Sequence, residues 1–190
     1  MSGVFNRAIL TGLMKEENNT MKQKFTSANT SINKNKIPAL FTMSKVTFDP
    51  DTVNFDIGGG KYDTATDYLY GMGVRNFIWD KYNRTEKWNK NIINALIMCG
   101  GADTVTISNV LNVIKEQENR HEVLEMAFAF SKPTATIYIT VYEGDKSGIG
   151  KQTKADCYQL NRPTADYVEE ISIIFPHVER HGKLIICGKM

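Results

Sequence analysis

The feature that most constrains the fold is the alternation, after Lys45, of short β-prone runs with helical patterns. Runs rich in Val, Ile, Thr and aromatic residues are typical of strands, and apolar residues spaced three or four apart are typical of helices. The strand-like runs are TVNFDI, RNFIWD, DTVTIS and TATIYITVYEG, and the helical stretches are DTATDYLYGMG, TEKWNKNIINALIMCGG, KEQENRHEVLEMAFAFS and TADYVEEISIIF. This alternation predicts an α/β fold with a doubly wound, mostly parallel sheet and helices on both faces.

The carboxyl-terminal stretch HVERHGKLIICGK has a different pattern. Two short β-prone runs flank His181 and Gly182, with no helical stretch between them. Two strands joined by so short a connection can only be antiparallel. The sequence therefore predicts an antiparallel hairpin at the end of the sheet.

Three consecutive glycines, Gly58–Gly60, directly follow the first strand-like run and its Asp56. In a doubly wound sheet, ligands bind outside the carboxyl ends of the strands, where the first strand-to-helix turn meets them. Glycine allows a positive φ and leaves no Cβ in the way of a ligand. Asp80 ends the second run, where a carboxylate can accept hydrogen bonds from both ribose hydroxyls. The combination predicts a site for a ligand that contains adenosine; the alternative is a tight turn needed only for packing.

Composition excludes several classes of protein. The 190 residues suffice for one domain with an appendage. No apolar run reaches the ~18 residues of a membrane span, and no signal peptide is visible, so we expect no membrane partner. The widely spaced Cys99, Cys157 and Cys187 indicate ordinary thiols in a reducing cytoplasm rather than a disulfide framework. His177 and His181 are four apart in a strand pattern, which does not place them on one helix face, so no metal site is predicted.

Residues 1–45 differ in charge from the rest of the chain. They carry seven basic and two acidic groups, a net charge of +5, whereas residues 46–190 carry 16 basic and 19 acidic groups, a net charge of −3. The sequence therefore predicts a basic, polar amino-terminal arm at 1–45, with a short helix near Val4–Lys15, and a folded domain at 46–190. The arm is either a solvated tail or a contact for an acidic partner such as nucleic acid or protein. The oligomeric state is left open.

The DIGGG stretch resembles the first motif of the class I S-adenosylmethionine-dependent methyltransferases, Asp-x-Gly-x-Gly. Asp56, Gly58 and Gly60 match its spacing, while Tyr62 replaces the usual third glycine. ADTVTISNVLNVI resembles the fourth strand of that family with its following loop, and TATIYITVYEG its fifth strand. The antiparallel end of the chain is similar to the family's terminal hairpin. The resemblance extends roughly over Val46–Lys189 and implies a sheet of the class I methyltransferase type.

The middle of the chain departs from that family. Only 22 residues separate Asp80 from Asp103, which leaves room for one helix at Thr85–Cys99. Family members fit a helix, a strand and a second helix into this interval. We therefore expect the third strand to be lost or reduced, and part of the adenine cap to come from Tyr82 and Asn83.

The resemblance implies a set of site residues for a cofactor, S-adenosylmethionine or S-adenosylhomocysteine. The residues expected to bind the cofactor are Asp56, Gly58, Gly59, Gly60, Asp80, Lys81, Tyr82 and Asn109. The residues expected near the reacting centre are Asn109, Asn112, Tyr142 and Glu143. The polar loop Gly144–Arg162 is expected to shape the pocket of the methyl acceptor.

Three functions are compatible with this pattern. The first is a small methyltransferase of unknown acceptor. No Asn-Pro-Pro-aromatic tetrapeptide and no Pro-Cys nucleophile follows the third strand-like run, which disfavours the methylation of nucleobases. The second is a catalytically inactive methyltransferase-like module that binds nucleic acid or protein through its basic arm. The third is an enzyme that consumes S-adenosylmethionine without methylating anything.

Overall fold

The structure, a computed structural model, describes residues 22–30 and 34–190. The strands are β1 (Val53–Ile57), β2 (Arg75–Trp79), β3 (Ala102–Ser108), β4 (Ser131–Thr140), β5 (Gly150–Lys154), β6 (Cys157–Leu160), β7 (His177–His181) and β8 (Leu184–Gly188). The α-helices of the described residues are α1 (Thr64–Tyr70), α2 (Glu86–Met98), α3 (Gln117–Phe130) and α4 (Tyr167–Ser172). Short 3-10 helices lie at Ala28–Thr30, Ala39–Thr42, Leu111–Val113 and Thr164–Asp166.

Six strands form one sheet in the order β2-β1-β3-β4-β8-β7. β2, β1, β3 and β4 are parallel to one another, whereas β8 is antiparallel to both β4 and β7. Between β2 and β3 the chain forms only α2. The strand that the resembled family has in this interval is lost, one of the two outcomes that the sequence predicted. The predicted mostly parallel sheet, its antiparallel carboxyl-terminal hairpin and its shortened middle are all confirmed.

One face of the sheet is apolar and packs against α2, α3 and α4. Val53, Phe55 and Ile57 alternate along β1 and point to this face, each at most 1% exposed. They contact fully buried helix residues, among them Leu96 of α2 and Leu124 of α3. Each fully buried side chain of this kind stabilises the fold by about 1.5–3 kcal/mol. This face is the main hydrophobic core.

The opposite face of the sheet is covered by α1 and by the segment that precedes β1. Leu40, Phe41 and Phe48 of that segment are buried together with Leu69 of α1 and Tyr138 of β4. This second, smaller core includes residues on both sides of the predicted boundary after position 45. The predicted helix near Val4–Lys15 lies outside the described residues.

Two connections differ from the sequence-based expectations. The expected polar loop Gly144–Arg162 instead contains the antiparallel pair β5–β6. Gly150 leaves room for the Tyr158 side chain of the opposite strand, since a Cβ at Gly150 would lie 1.6 Å from the Tyr158 hydroxyl. At the other connection, α3 ends at Phe130 and β4 begins at Ser131, with no residue between them.

No helix in the described part of the chain is both long enough and apolar enough to cross a membrane.

Candidate functional site

The glycine turn, Gly58–Gly60, lies at the carboxyl end of β1 and is hydrogen-bonded to the end of β2. Gly58 and Gly60 have φ values of +72° and +77°, which glycine adopts without a steric penalty. The Gly58 N–H donates to the Trp79 carbonyl at 2.8 Å, and the Gly60 N–H donates to Asp80 Oδ2 at 2.9 Å. Arg84 Nε donates to the Gly60 carbonyl at 2.8 Å. The turn and Asp80 therefore form one unit at the edge where α/β sheets bind ligands.

Side chains of the protein itself approach this turn closely. A Cβ at Gly58 would lie 2.5 Å from Val110 Cγ2, in the loop after β3. A Cβ at Gly59 would lie 2.4 Å from Asp56 Oδ2. Real Cβ atoms do not reach such distances, so both positions need glycine for packing.

Asp80 is buried and anchors two turns at once. Its Oδ1 accepts the N–H groups of Tyr82 at 3.0 Å and Asn83 at 2.8 Å, while its Oδ2 accepts the Gly60 N–H. Asn89 of α2 holds the Asp80 backbone, accepting its N–H at 3.1 Å and donating to its carbonyl at 2.9 Å. Hydrogen bonds to a charged group contribute about 1.5–3 kcal/mol each. Asp80 thus fixes the turn after β1 to the turn after β2.

Asp56 lies beneath the turn, in a buried polar network between the sheet and α1. Its Oδ1 accepts the Thr106 hydroxyl at 2.9 Å. Asn54 Nδ2 donates to Thr106 at 3.0 Å and to Asn76 Oδ1 at 2.8 Å, and Thr104 donates to Asn54 Oδ1 at 2.8 Å. Burial raises the pKa of Asp56 to about 7, although the Thr106 and Asn76 side chains oppose the rise. We name these five residues the polar network. Sequence reasoning did not identify it, although four of its residues alternate along β1 and β3 and the fifth, Asn76, lies on β2.

Asn109 and Tyr142 are the two exposed members of the predicted reacting centre. Asn109 follows β3 with a φ of +57°, which asparagine tolerates better than most residues. Its N–H donates to the Thr140 carbonyl at 2.9 Å, which joins the ends of β3 and β4. The Tyr142 side chain is 61% exposed at the end of β4. Both side chains are accessible at the carboxyl edge of the sheet.

Asn112 is buried and its amide connects three loops. Asn112 Oδ1 accepts the Tyr142 N–H at 3.3 Å, and Asn112 Nδ2 donates to Gln159 Oε1 at 3.0 Å. Gln159 Nε2 in turn donates to the Tyr142 carbonyl at 2.8 Å. Asn112 therefore holds the ends of β3, β4 and β6 together.

Glu143 is nearly buried and is held as an anion. Its Oε1 accepts the Thr164 N–H at 2.9 Å, and its Oε2 lies 3.2 Å from the Lys146 ammonium. The Thr164 N–H is the main reason that the pKa of Glu143 falls to about 2. A carboxylate of such low basicity is a poor proton acceptor at neutral pH.

Tyr82 lies where the predicted adenine cap would be. Its ring is 5.8 Å from the Lys81 ammonium, and its hydroxyl donates to Gln23 Oε1 at 3.2 Å. Burial is the largest cause of the raised pKa of Tyr82. Gln23 belongs to residues 22–30, which we name the amino-terminal strap.

The amino-terminal strap lies over the hairpin and the loop after β3. Phe25 stacks on Tyr158 with ring centroids 5.6 Å apart. The Ser27 N–H donates to the Asp156 carbonyl at 2.9 Å, and the Ser27 hydroxyl donates to the Val113 carbonyl at 3.2 Å. Thr26 adds hydrogen bonds to the Asp156 carboxylate. Sequence reasoning missed these contacts, because residues about 130 positions apart carry no shared local signal.

Within residues 22–30 and 34–190, no three His, Cys, Asp or Glu side chains lie close enough together to hold a metal ion.

Comparison with known proteins shows the fold of the chain. The sequence matches no protein-family model and no curated protein. Burkholderia thailandensis 1,6-didemethyltoxoflavin-N1-methyltransferase, solved with 1,6-didemethyltoxoflavin and S-adenosylhomocysteine, is similar with a TM-score of 0.51 and 16% identity over 73% of this chain and 69% of that chain. Streptomyces venezuelae DesVI is similar with a TM-score of 0.51 and 10% identity over 73% of this chain and 84% of that chain. Together with the strand order, these likenesses show that the chain has the fold of the class I S-adenosylmethionine-dependent methyltransferases, without its third strand.

Proposed function

We propose that the chain binds S-adenosylmethionine, or its product S-adenosylhomocysteine, at the glycine turn and acts as a small methyltransferase. The observation that carries the proposal is the 2.9 Å hydrogen bond from the Gly60 N–H to Asp80 Oδ2. It joins the two predicted cofactor elements at neighbouring carboxyl ends of parallel strands, where ligands bind in this kind of sheet. The Burkholderia enzyme of the same fold was solved with S-adenosylhomocysteine, which supports the choice of cofactor.

The donor set of the site fits an adenosyl ligand. Asp80 Oδ2 accepts one backbone N–H and otherwise lies 3.4 Å from Asn83 Nδ2. A carboxylate oxygen has two lone pairs, so a ribose hydroxyl can replace this long contact without displacing the Gly60 N–H. Asp56 acts on the ligand through the turn, since it is buried and its Oδ2 lies 2.4 Å from the position that a Gly59 Cβ would take. Lys81 and Tyr82 follow Asp80 and border the adenine.

Methyl transfer from S-adenosylmethionine requires the protein mainly to position the reactants. S-adenosylmethionine supplies a methyl group already activated by its sulfonium. The chain holds donor and acceptor in line and excludes water. Asn109 and Tyr142 are exposed at the edge, which supports a role for them in contacting the reacting groups. Asn112 and Glu143 support them by holding the loops.

A binding module without catalysis is the second candidate, and the strap favours it. Residues 22–30 cross the carboxyl edge and bind both the hairpin and the loop after β3. In such a module the basic residues of 1–45 engage an acidic partner in the cytoplasm. Lys22, Lys24, Lys34 and Lys36 are exposed and accessible to it.

Calorimetric titration of the full chain with S-adenosylmethionine and S-adenosylhomocysteine tests the proposal. We expect micromolar binding to the native chain and at least tenfold weaker binding to Asp80→Asn, because the ribose loses a charged acceptor. Asp67→Asn, which changes an exposed acid of α1, serves as the matched control and keeps native affinity. Thermal unfolding of each variant shows whether it is folded.

The outcomes separate the candidate functions. Absence of binding to the folded native chain overturns the cofactor proposal and leaves the binding module. If the chain binds S-adenosylmethionine but forms no S-adenosylhomocysteine from it with any acceptor tested, the result supports an inactive module. Breakdown of S-adenosylmethionine with no acceptor present supports an enzyme that consumes it.

A further inference from the structure

The amino-terminal strap has one side that faces the protein and one that faces solvent. Gln23, Phe25 and Ser27 are buried, whereas Lys22 and Lys24, which alternate with them, are exposed. Such alternation is typical of an extended segment that lies on a surface, because successive side chains point to opposite sides. The buried residues of the strap are therefore the ones that contact the rest of the chain.

The strap bridges the two loops that flank the carboxyl end of β1. Gln23 accepts the hydroxyl of Tyr82 in the loop after β2, and Ser27 donates to the carbonyl of Val113 in the loop after β3. β1 lies between β2 and β3 in the sheet. Two strand spacings amount to about 10 Å, and four residues of extended chain span at most about 14 Å. The step from Gln23 to Ser27 therefore has the length needed to pass over the glycine turn.

The strap is fixed at its hairpin end, and this orients the Gln23 amide. The Ser27 hydroxyl accepts the Tyr158 N–H at 3.2 Å, in addition to the contacts of the strap with Asp156. Gln23 Nε2 donates to the Phe25 carbonyl within the strap. With its nitrogen engaged in this way, the amide presents Oε1 to the Tyr82 hydroxyl.

The Tyr82 side chain is held at both of its ends. Its backbone N–H donates to Asp80 Oδ1 at 3.0 Å, and its hydroxyl donates to Gln23 Oε1 at 3.2 Å. Tyr82 is half-buried, so part of the ring is accessible beside the carboxylate that is expected to hold the ribose. A ring that is already fixed loses little further freedom when a ligand stacks on it.

We infer that Gln23 is a positioning residue for the cofactor and sets the Tyr82 ring as the stacking surface for its adenine. Gln23 acts through the Tyr82 hydroxyl, and the base stacks on the ring in the offset arrangement that aromatic systems prefer. The strap thereby supplies a part of the site that the shortened middle of the sheet does not. The inference rests on the proposed function and adds a segment outside the sheet to the cofactor site.

A double-mutant cycle on S-adenosylhomocysteine affinity, measured by calorimetry on the full chain, tests this role. Gln23→Met keeps the length of the side chain but removes the acceptor, and Tyr82→Phe keeps the ring but removes the donor. We expect each to weaken binding about three- to tenfold, and the double variant to bind no more weakly than either, because all three lack the same hydrogen bond. Asn29→Leu, the same kind of replacement at an exposed residue of the strap, keeps native affinity.

Nuclear Overhauser effects separate stacking from a structural role. In a chain deuterated except at tyrosine, the adenine H2 and H8 protons of bound S-adenosylhomocysteine should show such effects to a tyrosine ring. Tyr82→Phe should remove them, and Gln23→Met should weaken them because the ring is no longer fixed. Their absence from the native complex, or their persistence in Tyr82→Phe, overturns the inference. So does a Gln23→Met variant with a lower thermal midpoint but native affinity.

The failure of the inference is distinguishable from that of the proposed function. S-adenosylhomocysteine binding that is weakened in Asp80→Asn but unchanged in Gln23→Met and Tyr82→Phe overturns the role of the strap alone. Additive losses in the double variant show that Gln23 does not act through Tyr82, which also overturns only the inference. Absence of binding to the folded native chain overturns the proposed function and the inference together.

Discussion

The two faces of the sheet are built from the same strands but have different roles. On one face Val53, Phe55 and Ile57 of β1 pack against three helices in the main hydrophobic core. On the other face Asn54 and Asp56, which alternate with them, join the polar network. The apolar face supplies most of the stability. The polar face places a titrating carboxyl directly beneath the glycine turn.

Successive residues of one strand point to opposite faces of the sheet. One strand can therefore contribute to the hydrophobic core with one set of residues and to the site with the other. A change on the apolar face alters how much surface is buried. A change on the polar face alters which polar groups have hydrogen-bond partners and how the glycine turn is positioned. Substitutions on each face can test this division of roles.

Truncation on the apolar face has the largest expected effect. Phe55 is fully buried and contacts Phe130 edge-on at 6.2 Å between centroids. Phe55→Ala is expected to lower the free energy of unfolding by about 3–5 kcal/mol at every pH, because it leaves a cavity. Guanidinium unfolding measures the loss. A loss below about 1 kcal/mol would contradict the role assigned to this face.

On the polar face the expected effect depends on pH. The pKa of Asp56 is raised from 3.8 to about 7, so the folded state binds the proton more tightly than the unfolded chain. The contribution of Asp56 to the free energy of unfolding is therefore largest below pH 4. This contribution is lost as the pH rises towards 7. The full loss is on the order of 4 kcal/mol.

Asp56→Asn is the matched control for that titration. The amide cannot ionise, so the stability of native protein minus that of the variant should fall between pH 5 and pH 8 in urea unfolding. A difference that is flat over this range would show that Asp56 is not the titrating group.

A methyl group added at the turn should have a smaller effect. Gly59→Ala places a Cβ 2.4 Å from Asp56 Oδ2, and overpacking of this kind costs about 1–3 kcal/mol. The double variant Asp56→Ala with Gly59→Ala makes room and should recover part of the loss. Thermal unfolding of the single and double variants measures this recovery, and strict additivity would show that the two side chains do not clash.

The smallest expected effect is the loss of one network hydrogen bond. Thr104→Val removes the donor to Asn54 Oδ1 while keeping the volume, at a cost of about 1 kcal/mol. Its counterpart Val105→Thr places a hydroxyl on the apolar face without a partner. Chemical unfolding of the two variants should show the larger loss for Val105→Thr, and the reverse order would contradict the division between the faces.

The sequence predicted the architecture because local patterns carry it. β-branched and aromatic runs marked the central strands. The short interval between Asp80 and Asp103, set against the family that the sequence resembles, predicted that the third strand is lost or reduced. The glycine turn and Asp80 were predicted at neighbouring strand ends, and they are in hydrogen-bond contact. Their roles towards a ligand stay predictions.

The remaining contacts have no local signature. The Asn112–Gln159 amide pair spans 47 positions and depends on how three loops meet. The Arg120–Glu170 ion pair likewise joins side chains 50 positions apart in the sequence, which no local pattern encodes. The β5–β6 pair was missed because β5 is polar and almost wholly exposed, which is also typical of a loop.

The direct junction of α3 with β4 has a mechanical consequence. Helix-to-strand connections in such folds commonly have about 2–6 residues, which absorb small movements. Here Phe130 and Ser131 are consecutive, and a Cβ at Gly101 would come within 3.2 Å of both backbones. The pairing of β4 with β3 shifts its register between Ser131 and Thr136, so the irregularity that such folds commonly place in a loop lies inside the strand. A change in the length of this junction would therefore be absorbed by the irregular start of β4, ahead of the regular pairing from Thr136 to Thr140.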